Sequence, residues 1–111
     1  MIKGISEERS VYIDGEKLST ESSRELYDHA PDGGVLWGYS GSGPSQLALA
    51  LLLHFGATEN EALAWYQGFK QEVIAPLHDA QTGQPLNEFE MADSRVVDWL
   101  EARRLFAQEL E

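Results

Sequence analysis

The stretch Gly38-Tyr39-Ser40-Gly41-Ser42-Gly43-Pro44-Ser45-Gln46 holds the residues best placed to do chemistry. A glycine-rich turn entering a helix leaves backbone N–H groups free and adds the positive end of the helix dipole. Such a corner can hold an anion or phosphate. The residues that would build the site are Gly41, Ser42, Gly43, Ser45 and Gln46. Neither standard phosphate pattern is complete. A P-loop needs lysine and then a hydroxyl residue after its last glycine, and here Pro44-Ser45 follow Gly43. G-x-G-x-x-G fails because position 46 is glutamine, and Pro44 removes one donor. The plainer reading is a strand-to-helix corner that needs glycine at positive φ.

Nucleophilic catalysis is the second chemistry these residues suggest. Gly38-Tyr39-Ser40-Gly41-Ser42 falls one residue short of G-x-S-x-G and sits between a strand-like and a helix-like segment. The fold that uses that elbow needs a larger parallel sheet, an acid and a histidine. After Ser40 only His54, inside an apolar helix, and His78, in a loop, are available. No credible catalytic constellation results. His29, His54 and His78 are isolated, without H-E-x-x-H or an Asp-rich loop, so no metal or cofactor is expected. Cysteine does not occur, which excludes disulfides and thiolate chemistry. Trp37 and Tyr39 alternate onto one face of their strand and form a candidate contact surface.

The elements that must position these residues read as a small α+β domain spanning residues 1–111. Val11-Tyr12-Ile13 and Glu16-Lys17-Leu18 flank Asp14-Gly15, a dipeptide suited to a type I′ turn, so residues 10–19 form a hairpin. Residues 2–5 add a short edge strand, residues 20–34 read as a polar loop, and residues 35–39 form a further strand. A first helix over residues 44–55 is apolar on every side, as a buried central element should be. Thr58-Glu59-Asn60-Glu61 is a capping box. It opens a second helix over 58–75, with Ala62, Trp65, Tyr66, Phe69, Val73 and Ile74 on the buried side. Pro76 stops it. Residues 78–87 are a loop, and a third helix covers residues 94–108.

Charge narrows the choice of partners. Eight Lys and Arg against 19 Asp and Glu give a net charge of -11, which repels nucleic-acid phosphates. A basic protein partner suits this surface, and direct nucleic-acid binding does not. The acidic N-terminus lacks a signal-peptide core, and the longest apolar run, residues 47–53, is too short for a membrane span. A cytoplasmic protein without a membrane partner is expected.

Trp37-Gly38-Tyr39, Gly41-Ser42-Gly43-Pro44 and Gln46-Leu47-Ala48-Leu49-Ala50-Leu51-Leu52 resemble the signature of a family of uncharacterised small domains. Those domains occur in prokaryotes, in phages and on mobile elements. The similarity continues through Tyr66-Gln67, Phe69-Lys70 and Glu72-Val73-Ile74. Members usually carry glycine where this chain has Ser40, which argues against a catalytic serine. The resemblance implies no activity. Residues and resemblance together lead to the expectation of a non-catalytic interaction or accessory protein, associated with a phage or mobile element. One form of it would be a nucleic-acid mimic that inhibits a host defence protein. The alternative is a small-ligand module holding an anion at the 41–46 corner.

Overall fold

Asp14 and Gly15 both take positive φ, 52° and 86°, as a type I′ turn requires, and they close the expected hairpin. In the computed structural model, which describes residues 1–109, the strands are β1 (Ile2–Ile5), β2 (Ser10–Ile13), β3 (Glu16–Lys17) and β4 (Glu88–Met91). They form one antiparallel sheet in the order β3-β2-β1-β4. β1 is therefore central, and the edge-strand expectation for residues 2–5 is corrected. Its second neighbour is β4, where Gly4 lies opposite Phe89. The Glu88-Phe89-Glu90-Met91 alternation carries the period-two signal, but over a stretch too short to stand out.

Residues 35–39 do not join the sheet, which corrects the strand expected there. Their backbone bonds go singly to different elements, from Val35 N–H to the Arg9 carbonyl (3.0 Å) and from Gly38 N–H to the Ile74 carbonyl (3.0 Å). Gly38, at φ 85°, interrupts the extended run. A side chain there would place its Cβ 2.6 Å from the Leu77 carbonyl oxygen and 2.7 Å from Pro85 Cα. Glycine is required on both counts. The expected 20–34 loop also contains a short helix, α1 (Glu21–Leu26), too brief to show apolar periodicity.

The other helices are α2 (Ser42–His54), α3 (Glu59–Phe69) and α4 (Ser94–Glu109). α2 is buried from Gly43 through Leu52, as its all-round apolar sequence predicts. It ends in a Schellman motif at Gly56, where Ala57 N–H donates to Leu52 O (2.9 Å) and Gly56 N–H to Leu53 O (3.2 Å). The capping box of α3 forms as read, with Thr58 and Glu61 exchanging bonds of 3.1 and 2.9 Å. Arg104 on α4, and then the Thr58 N–H, hold the Glu61 carboxyl down at about 2. α3 widens at its end into a π turn over Lys70–Ile74, closed by Ala75 N–H to Lys70 O at 2.8 Å.

One core cluster joins Ile2, Val11 and Ile13 of the sheet to α2, α3 and the buried side of α4. Trp37 belongs to it, 1% exposed and edge-on to Phe89 with ring centroids 4.8 Å apart. Its indole N–H donates to the Leu86 carbonyl at 2.8 Å. The α+β class is as expected from the sequence.

Candidate functional site

Two polar side chains inside this apolar frame define the neighbourhood of the glycine corner. Gln46, one turn into α2, is fully buried. Its Oε1 accepts from the His29 N–H (2.7 Å) and the Ala30 N–H (3.1 Å), and its Nε2 donates to Ser23 Oγ (2.9 Å). Ser23 Oγ in turn donates to the Thr20 carbonyl at 2.8 Å. One glutamine thus clamps α1 and the following loop onto α2, and its side chain is spent on the fold.

The clamp delivers His29 to the α2 N-terminus. The His29 ring stacks on Tyr27 with centroids 4.3 Å apart, and its Nε2 lies 2.8 Å from the Tyr66 hydroxyl. Burial, and next the positive charge of Lys70, hold His29 below the usual histidine pKa.

Lys70 is the second buried polar side chain, only 7% exposed. Among the described residues it makes no ion pair and donates no side-chain hydrogen bond. Its position follows from the antiparallel packing of α2 and α3. Tyr66 reaches His29 at the level of Gln46, Gln71 Nε2 donates to Ser40 Oγ (2.9 Å), and Gly38 N–H bonds Ile74 O. Lys70 lies between Tyr66 and Gln71 in the chain, where α3 passes into its π turn.

The corner itself departs from expectation in several particulars. α2 begins at Ser42 rather than at 44, with Gly41 as an extended N-cap (φ -170°) that provides no side-chain cap. Of the corner glycines only Gly38 has positive φ, so Gly41 and Gly43 serve close approach instead. The Tyr39 ring lies across them, and a Cβ on Gly41 would meet its edge at 2.6 Å. Ser45 N–H is committed to Gly41 O at 3.0 Å, which takes that amide out of any ligand set. The Ser42 and Gly43 N–H groups have no partner among the described residues. They open on a concavity of about 470 Å³ lined by Arg9, His29, Asp32, Leu36 and Tyr39. Arg9 is already paired with Asp32 at 2.5 Å. The Gly34 N–H first, and then Arg9, hold the Asp32 carboxyl below its usual range. A larger concavity of about 570 Å³ on the other side of Arg9 sets Arg9, Lys17 and Arg24 against Glu8, Glu21 and Asp32. Its charges balance, so it favours no ion.

Of the proposed contact pair, Tyr39 is exposed (41%) but Trp37 is buried, so Trp37 cannot be part of a surface. Gly38 turns the chain between them, and strand alternation does not apply. The Ser40 hydroxyl meets Gln71 and no histidine, as an elbow nucleophile would require. Among the described residues no group of three or more His, Asp or Glu side chains could hold a metal ion. No helix there is long and apolar enough to cross a membrane. The sequence did carry a signal for Lys70, which occupies the Ala62-Tyr66-Lys70-Ile74 stripe on the buried side of α3. Lysine on such a stripe is out of place.

These features define a small α+β protein whose central helix starts without a side-chain cap. The chain belongs to a family of unknown function, DUF6166, whose model matches residues 3–102. No curated protein and no solved structure matches it. The matched span takes in every residue of the corner, from Arg9 to Gln71.

Proposed function

We propose that the protein binds an anionic group at the first turn of α2. The observation that carries this reading is the pair of unfilled donors, Ser42 N–H and Gly43 N–H, facing a concavity with His29 and Arg9 on its wall. An unfilled helix start carries a partial positive charge, and its N–H groups complement the oxygens of a phosphate or carboxylate. Titration with inorganic phosphate, followed by amide chemical shifts, tests it. The Ser42 and Gly43 amides should move and the Ser45 amide should respond less; silent Ser42 and Gly43 amides in folded protein reject it.

A second reading is favoured by the net charge of -11 and by Leu105 and Phe106, which α4 exposes near its end. On this reading the protein is a cytoplasmic accessory of a phage or mobile element. Its acidic surface occupies the nucleic-acid-binding site of a basic host protein. Capture of a basic partner that is lost steeply with added salt supports it, and salt-insensitive capture counts against it.

A further inference from the structure

We propose that the outer edge of β4 takes up an extended, basic segment of another protein, which adds to the sheet as a fifth strand. The inference is independent of the α2 corner. The β1–β4 register, continued by the bond from Ser6 N–H to Asn87 O (2.8 Å), fixes which way the β4 backbone faces. An antiparallel ladder alternates, so Gly4–Phe89 and Ile2–Met91 are the bonded pairs. The N–H and C=O groups of Glu88 and Glu90 therefore point away from β1, on the outermost strand of the sheet. Leu86, of the same parity, shows what this edge accepts, since its N–H donates to the Leu77 carbonyl at 3.1 Å. At Pro76 the neighbouring chain leaves for the π turn. Among the described residues no turn or loop then bonds the main chain of Glu88 or Glu90. The opposite edge, β3, has only two residues and is no comparable template.

Side chains decide the occupant. Glu88 and Glu90 are exposed on the outer face of β4, and Phe89 and Met91 lie on its core face. Met91 borders a mostly apolar concavity of about 530 Å³ that Val73, Pro76 and Leu77 also line, with Glu72 and Asp98 set against a single Arg95. A strand laid on this edge puts its side chains alternately on the two faces. Lysine or arginine matches Glu88 and Glu90 on the outer face, and an apolar residue across from Met91 matches the concavity. A second copy of this chain is the wrong occupant. Antiparallel pairing of β4 with β4 sets glutamate opposite glutamate, between molecules that each carry a net charge of -11.

The test uses the full chain and a capped peptide of about six residues that alternates lysine and valine. Two further peptides serve as comparisons, one with glutamate for lysine and one N-methylated throughout. N-methylation keeps charge and side chains but removes the donors a ladder needs. The lysine–valine peptide should shift the Glu88 and Glu90 amides and slow their hydrogen exchange. Both comparison peptides should bind at least about tenfold more weakly. Glu90→Lys, at an exposed position, should weaken the lysine–valine peptide and strengthen the glutamate one. Silent Glu88 and Glu90 amides, or equal binding of the N-methylated peptide, overturn strand addition. Unchanged affinities in Glu90→Lys overturn the basic occupant. Shifts at these amides that grow with protein concentration, without peptide, make a second copy the occupant and overturn the proposal. Should Glu90→Lys not fold, the three peptides on the wild-type chain decide.

Discussion

Gln46 in α2 and Lys70 in the π turn that ends α3 are both buried residues. Gln46 uses its carbonyl oxygen twice and its amide once, all on its own chain. Lys70 uses nothing. The first is what a folded interior demands of a polar group, since an unmet donor or acceptor costs more than a met one gains. The Lys70 ammonium does not break that demand, because it is not sealed from solvent even though the residue as a whole is buried. Burial alone does not mark a polar residue as structural; the state of its partners does.

Breaking the satisfied member should have the largest effect. Gln46→Leu strands the His29 and Ala30 N–H groups and frees α1, and should cost about 3 kcal/mol in urea unfolding. A loss below about 1 kcal/mol would mean that the clamp is ornamental. Gly38→Ala attacks the other side. It meets Leu77 and Pro85 and requires positive φ of an alanine, for a loss of about 2–3 kcal/mol. Because Gly38 N–H holds Ile74, the damage should reach the Ser40–Gln71 contact before the Gln46 clamp, which amide exchange would report by region. Lys70→Met sharpens the contrast by its size. It should change stability by less than about 1 kcal/mol, since Lys70 has no ion pair or side-chain hydrogen bond among the described residues to lose. A loss above 1 kcal/mol would make Lys70 structural, like Gln46.

The smallest effect joins the two. His29, held by Gln46 through its backbone, faces Lys70, Tyr66 and, less closely, Asp28. Its pKa lies below the ordinary value of 6.5, because burial and Lys70 outweigh the opposing pull of Asp28. The unfolded chain therefore takes up the proton first. The stability contribution is full above 6.5 and is lost as pH falls from there through the lowered folded value. Histidine ring shifts should show the low pKa in wild type and a partial return upward in Lys70→Met. An unmoved value would place the ammonium away from His29.

What the sequence disclosed was local. The Asp14-Gly15 turn and the Thr58–Glu61 box were legible because a few adjacent residues decide them. α2 was legible as a buried helix from its composition, although it starts at Ser42 rather than at residue 44. Residues 35–39 misled because their alternation is real but their partners are Arg9 and Ile74, far apart in the chain. β4 leaves little trace in the sequence because four residues carry little period, and its pairing with β1 is a long-range choice. The glycine corner was visible as a feature. His29 and Tyr66 near it were not, since only the packing of the chain around α2 brings them there.

The sheet order has a consequence in time. β1 is made first and receives β2 almost at once, but its other edge waits for residues 88–91. At about 5–20 residues per second, synthesis of residues 18–87 takes roughly 4–14 s. Throughout that interval the β1 edge is unpaired, Gly4 lacks the Phe89 ring that covers it, and Trp37 lacks its aromatic neighbour. The nascent chain is thus most open to edge-to-edge association just before its last strand appears, and a stall upstream of residue 88 is where aggregation should begin.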